Sequence, residues 1–175
     1  MRSPMKGGSE LDAALPVPLE FRLPDGWLAV DPETGGATGV AFAAVHPQSD
    51  AGFTANITID GEYRPDAEML DEIAEESVKR LRHFAESVVL VDRREVGSAD
   101  TPALIQRLSF AAAVGSARHD LVQSQVYLSV VDVADPRQQA AVRLTLTTTT
   151  AQHDTVLADF QDFVRTVRPS ARVEI

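Results

Sequence analysis

The chain has no cysteine, which excludes disulfides, thiolate nucleophiles, thiolate metal sites and a lipid anchor on an N-terminal cysteine. Lysine is nearly absent too: Lys6 and Lys79 stand against 14 arginines, a bias that reflects coding composition rather than function. No apolar run approaches the roughly 18 residues of a membrane span. The opening Arg2 and Lys6, followed by Gly7-Gly8-Ser9-Glu10-Leu11-Asp12, lack the apolar stretch of a signal peptide. Positive charge is scarce, with 16 basic against 26 acidic residues and a net charge of −10. A phosphate backbone is repelled by such a surface unless a compact basic patch offsets it, and the sequence shows none. The expectation is a cytoplasmic protein with no membrane span and no nucleic-acid partner.

What is present is ordinary globular composition. At 175 residues and 44% hydrophobic, the chain is long enough for one core and short for two. Residues 1–18 are rich in Gly, Ser and Pro without a sustained period and are expected to form a disordered N-terminal tail. A single domain is expected over 19–169, with a C-terminal tail over 170–175.

Leu19-Glu20-Phe21-Arg22-Leu23 and Trp27-Leu28-Ala29-Val30, separated by Pro24-Asp25-Gly26, read as a hairpin. After the Gly-rich stretch Asp31 to Gly39, an apolar strand runs from Val40 to about Val45. Another follows in which Phe53, Ala55, Ile57 and Ile59 alternate with Thr54, Asn56, Thr58 and Asp60. Pro65 and Asp66 are suited to opening a helix. Its core stripe is Leu70, Ile73, Ala74, Ser77, Leu81 and Phe84, with acids toward its front and bases toward its rear, as the helix dipole favours.

From Val88 the period returns to that of strands, first Val88 to Val91 with a charged Asp92-Arg93-Arg94-Glu95 edge. Three longer strands then set Leu108, Phe110, Ala112 and Val114 against Arg107 and Ser109. They set Val122 to Val130 in steps of two against Gln123, Gln125 and Tyr127, and Val142, Leu144 and Leu146 against Arg143, Thr145 and Thr147. The short links at Gly115-Ser116-Ala117 and Asp135-Pro136 suit antiparallel neighbours. Val156, Leu157, Phe160, Phe163, Val164 and Val167 form an unbroken helical stripe that Pro169 closes. The fold class is α+β, a mainly antiparallel sheet of about six to eight strands packed with two main helices.

No catalytic constellation emerges. His46, His83, His119 and His153 share no metal-ligand spacing, and His83 and His153 are expected at the surface or a boundary. Thr34-Gly35-Gly36-Ala37-Thr38-Gly39 lacks the Gly-Lys-Ser/Thr ending of a phosphate loop, and Gly115-Ser116-Ala117 lacks the second glycine of a nucleophile elbow. No catalytic residue, metal ligand or cofactor site is assigned, and Trp27 is expected to anchor the core. The one candidate surface is Arg107, Gln123, Gln125, Tyr127, Arg143 and Thr145. These residues form a contiguous polar face if the last three strands pair in order, and Tyr and Arg are favoured at binding hot spots.

Several segments together resemble a known superfamily: Phe21-Arg22-Leu23-Pro24-Asp25-Gly26-Trp27, Phe53 to Ile59, Thr101-Pro102-Ala103 leading to Leu108-Ser109-Phe110, Gln123 to Val130, Val142 to Thr147, and Phe160-Gln161-Asp162-Phe163-Val164. The superfamily is that of the photosystem II subunit PsbP and the Ran-binding protein Mog, with bacterial LpqN- and DcrB-type lipoproteins. The likeness covers about Leu19 to Pro169 and implies an α/β/α sandwich with a binding, assembly or chaperone-like accessory role, in some bacterial relatives associated with secretion. No family active-site residue exists to carry over, and the lipobox cysteine of the lipoprotein members is missing. The expected function is therefore a non-catalytic module for an unidentified protein partner, with homo-oligomers as one form of partner. The alternative is a carrier of a small apolar or lipid-like ligand in a pocket between sheet and helices.

Overall fold

The computed structural model describes residues 15, 17–32, 40–63, 70–98 and 101–170. Among these residues nine strands and two helices follow in the order β1 (Leu19–Glu20), β2 (Leu28–Val30), β3 (Phe42–Asp50), β4 (Phe53–Tyr63), α1 (Leu70–Phe84), β5 (Glu86–Gly97), β6 (Pro102–Val114), β7 (Ala117–Val131), β8 (Gln139–Thr149), α2 (His153–Thr166) and β9 (Arg168–Pro169). Strands β2 to β8 form one seven-stranded sheet in the order β2-β3-β4-β8-β7-β6-β5. Every neighbouring pair in it is antiparallel. The expected α+β class and strand count are met.

Side-chain alternation along the strands divides the sheet into two faces. Gln106 and Tyr127 turn toward α1, where they meet the Ala74 carbonyl and Ser77. Ser124, on the opposite face, meets His153 at the start of α2. The helices therefore lie on opposite faces, an α/β/α sandwich. Under α2 sits the main core: Ile57, Ile59, Val126, Val142, Leu144 and Leu146 pack against Val156, Phe160 and Phe163. A smaller cluster, Leu70, Ala74, Leu104, Tyr127 and Ala141, lies under α1.

The N-terminal segment departs from expectation in two ways. Pro24-Asp25-Gly26 does turn, with the Trp27 amide donating to the Pro24 carbonyl and Gly26 at φ 86. The strands flanking it do not pair with each other, however. β1 pairs with β9, and β2 pairs with β3, because Leu19 and Phe21 are drawn over the α2 side of the core, where Phe21 packs edge-on against Phe42 and Phe163. The core also reaches upstream of Leu19, since Leu15 and Val17 are buried in it. Trp27 is the expected anchor, buried with its indole N–H donating to Asp159 of α2 at 3.0 Å.

Helix α1 keeps most of its predicted stripe, with Leu70, Ala74 and Ser77 buried, but Val78 takes the place expected of Phe84. Phe84 ends the helix and is 78% exposed. The proposed opening of this helix at Pro65 and Asp66 lies outside the described residues. Helix α2 ends at Thr166, and Val167 is already extended, so the backbone leaves the helix before Pro169 is reached.

Gly97, at φ 83 in the β5–β6 turn, cannot hold a Cβ, which would run into the Thr101 carbonyl oxygen. Gly52 has the same φ but open space around it. Gly97→Ala should therefore lower unfolding free energy by more than about 2 kcal/mol, against about 1 kcal/mol for Gly52→Ala, where only left-handed backbone strain applies. Urea unfolding followed by circular dichroism checks the ordering; equal losses would contradict it.

Candidate functional site

The six residues expected to share one polar face do not all share it. The β6–β7 hairpin turns through Gly115 and Ser116, so Val114 pairs with Ala117 and Arg107 pairs with Ser124. Arg107 thus faces α2, while Gln123, Gln125 and Tyr127 face α1. On the next ladder Tyr127 pairs with Arg143 and Gln125 with Thr145, which keeps those residues together. The correction has a second part: this face is covered by a helix rather than presented outward. Tyr127 is fully buried, Gln125 is 2% exposed and Thr145 6%.

Under α1 these side chains form a hydrogen-bonded network. The Gln106 amide donates to Gln125 Oε1 at 2.7 Å and to the Ala74 carbonyl at 3.1 Å. The Tyr127 hydroxyl lies 2.8 Å from the same Gln125 oxygen and 2.6 Å from Ser77 Oγ. A phenol has one proton, so it donates to Gln125 and accepts from Ser77. Arg143 donates to Ser77 at 2.9 Å and grips Asp60 with two nitrogens, at 2.6 and 3.1 Å. The network is closed at its outer edge by Arg93, which binds Gln106 and Glu75. Burial pushes the Tyr127 phenol above its ordinary value, against the lowering effects of Arg143 and Ser77. These mutual partners satisfy the buried polar groups and tie α1 to the sheet. Next to it, a polar cleft of about 310 Å3 is lined by Asn56, Thr58, Gln123, Arg143, Thr145 and Thr147. Thr145 Oγ1 is the one buried hydroxyl there without a hydrogen-bond partner among the described residues.

The larger space is on the other face. A groove of about 490 Å3 runs between α2 and strands β5 to β7. Its floor is Ala103, Ile105, Val126 and Leu128, its wall is Leu157, Phe160 and Val164 of α2, and Arg94, Arg107 and Arg165 stand around it. The burial of β6 shows why it is open. Leu104, Gln106, Leu108 and Phe110, under α1, are all buried, whereas Ala103, Ile105, Arg107 and Ser109, on the α2 side, are only half-buried. Helix α2 packs chiefly over β8, and among the described residues no helix covers the β5–β6 part of its face. Val89, paired with Ser109 on β5, continues that bare face and is 53% exposed.

Charge in the groove is uneven. Arg94 pairs with Asp92, and Arg165 with Asp162. Arg107 has no hydrogen bond or ion pair among the described residues; its charge acts on His153, 4% exposed and 2.9 Å from Ser124 Oγ. Burial, and then Arg107, lower the His153 pKa, with Asp154 opposing. His153 is therefore a buried side chain rather than the boundary residue expected from sequence. Among the described residues no three His, Cys, Asp or Glu side chains gather to hold a metal, and no helix is long and apolar enough to cross a membrane.

Of the expected site residues, then, only Arg107 reaches the groove. Sequence reasoning missed Ile105, Leu128, Leu157, Val164, Arg94 and Arg165. Their signal was available in part: Val126 and Leu157 belong to stripes assigned wholly to the interior, and only the limited width of a helix shows that such stripes need not be covered along their whole length.

No protein-family model and no curated protein matches the chain. Solved structures do, and they show the fold. LpqN of Mycobacterium tuberculosis, described as involved in cell envelope biogenesis, superposes with a TM-score of 0.57 at 10% identity, over 86% of this chain and 82% of that one. Cyanobacterial PsbP of Synechocystis sp. PCC 6803 gives 0.57 at 15% identity, over 97% and 91%. The Ran-binding protein Mog1p of Saccharomyces cerevisiae gives 0.50 at 11% identity, over 86% and 89%. The fold is PsbP/Mog-like, as the resemblance in sequence implied.

Two predictions follow from the buried polar groups. Tyr127→Phe strands the Ser77 hydroxyl and one Gln125 lone pair, and should cost about 1–3 kcal/mol of stability in urea unfolding; a neutral result would mean the network does not support the fold. For His153, the folded pKa lies below the ordinary value near 6.5, so the unfolded chain takes up the proton first. Stability present above pH 6.5 should fall as pH drops from there toward the folded pKa. His153→Gln should flatten that part of the urea-midpoint profile between pH 7 and 5.5, and an unchanged slope would contradict the assignment.

Proposed function

We propose that this protein is a non-catalytic binding module that docks a protein partner in the groove between α2 and strands β5 to β7. The observation that carries the reading is the contrast within β6: one side of the strand is fully buried and the other, with Ala103 and Ile105, is half-open beside an apolar wall. Apolar surface left open at the centre of a sheet face, rimmed by arginines, is the composition of a recognition surface. The sheet beneath it is rigidly paired, so the groove is pre-formed. The edge strand β5 adds a second open feature, twelve residues long with Val89, Leu90 and Val91 exposed. That the similarly folded Mog1p is a Ran-binding protein supports a protein as the kind of partner, and LpqN's part in envelope biogenesis supports an accessory role such as assembly or secretion.

A volume of about 490 Å3 is also within the range of small-molecule pockets, which favours, as the second reading, a carrier of a small apolar ligand. One experiment separates them. A photo-crosslinking amino acid placed at Leu157 should join the protein to one discrete protein species in cells, while the same group at the exposed Lys79 on α1 should not. Ile105→Asp should abolish the Leu157 adduct. Crosslinks of equal pattern from both positions, or native mass spectrometry showing the groove loaded with a small molecule that Ile105→Asp expels, would overturn the protein-partner reading.

A further inference from the structure

We infer that the partner segment seated in this groove is an amphipathic helix with acidic residues along one flank. The inference rests on the groove being the docking surface and adds what fills it. Two observations carry it, one geometric and one electrostatic.

The geometric one is width. Strands lie about 4.8 Å apart, so the bare part of the face, β5, β6 and the near side of β7, presents about 10 Å. That is the diameter of one helix with its side chains. The bare strip is bounded on one side by Leu157, Phe160 and Val164 of α2, spaced as one helical stripe. A second helix laid beside α2 would meet that stripe on its flank and Ala103, Ile105 and Leu128 beneath it. Small Ala103 lets a helix approach closely, and Ile105 and Leu128 supply the anchors that an i, i+3, i+4 stripe covers. An extended segment in the same place would need backbone partners, and the centre of a sheet face offers none.

The electrostatic one is sign. In a chain of net charge −10, three arginines stand at this one groove. Arg94 and Arg165 are matched by the exposed acids Asp92 and Asp162, and Arg107, which stands across the strand pair from the same Asp92, has no ion pair of its own among the described residues. Three guanidiniums thus share the carboxylates of Asp92 and Asp162, a surplus of positive charge that calls for a further anion, and the planar fork of arginine suits a Glu or Asp side chain. An acidic flank on the incoming helix meets that demand, and a basic one is rejected by like charge.

The test uses the full chain and three synthetic helical peptides of one design. Each has a leucine stripe at i, i+3, i+4 and i+7, and a flank of Glu, Gln or Lys. Fluorescence anisotropy should show the Glu peptide binding at least about tenfold more tightly than the Lys peptide, the preference shrinking as salt rises. Arg107→Gln should weaken the Glu peptide about fivefold or more, and Arg107→Glu should reverse the order of Glu and Lys peptides, a rescue that a misfolded variant could not produce. Equal affinity for all three, or binding of none, overturns the inference. Crosslinking from Leu157 to a protein that the Glu peptide does not displace also overturns it, while leaving the groove as the docking surface. A concentration-dependent dimer that Leu157→Asp dissolves would assign the seat to a second copy of this chain and would likewise overturn it.

Discussion

Two helices cannot cover the two faces of a seven-stranded sheet. At about 4.8 Å per strand the sheet is roughly 30 Å wide, and each helix shields about 10 Å of one face. The chain places its two helices out of register with each other. α1 lies over β5 to β7 on one face and α2 chiefly over β8 on the other, with Leu15, Val17, Leu19 and Phe21 extending the cover on the α2 side. Among the described residues each face is therefore left with one strip that neither helix covers, and the two strips differ in what they contain.

Their contents are opposite in kind. The strip beside α1 shows Asn56, Thr58, Gln123 and Thr147, half-buried polar side chains that can meet water. The strip beside α2 is made of Ala103, Ile105 and Leu128 with arginines around them. A chain selected only to fold and stay dissolved would make both strips like the first, because exposed apolar surface on a broad pre-formed face invites unwanted association. Ile105 packs at the margin of the main core, while β6 is anchored on its other side by Leu104, Leu108 and Phe110. Its side chain is only half-buried there, so part of its apolar surface stays open in the groove.

The buried network under α1 follows from the same geometry. Residues of one strand alternate, so β7 with apolar Val122 to Val130 facing α2 must turn Gln123, Gln125 and Tyr127 toward α1. Gln106, Ser77, Arg143 and Asp60 provide their partners. Isolated polar groups there would cost several kcal/mol, whereas mutually satisfied ones cost little and fix the helix in one position. Because α1 is held by directional bonds as well as by Leu70 and Ala74, it cannot slide sideways to cover the neighbouring strip.

Periodicity made the longer strands, the two helices and the antiparallel pairing legible, and the α2 stripe is found from Val156 to Val164, with Val167, read as its last member, already extended. Placement of the site was less legible, and the failure is one of parity. Grouping Arg107 with Gln123 and Tyr127 assumed that polar residues of adjacent strands share a face. A two-residue turn at Gly115-Ser116 instead pairs odd positions of β6 with even positions of β7, which sends Arg107 to the far side. Turn length was in the sequence, so this step could have been taken from it. The pairing of β1 with β9 could not, since it depends on where α2 ends. Nor could the bare strips, because a stripe of apolar residues says which side of a strand avoids water but not whether this chain or another supplies the cover. Where three arginines share the acids Asp92 and Asp162, a covering group that brings negative charge is favoured over one that brings positive charge.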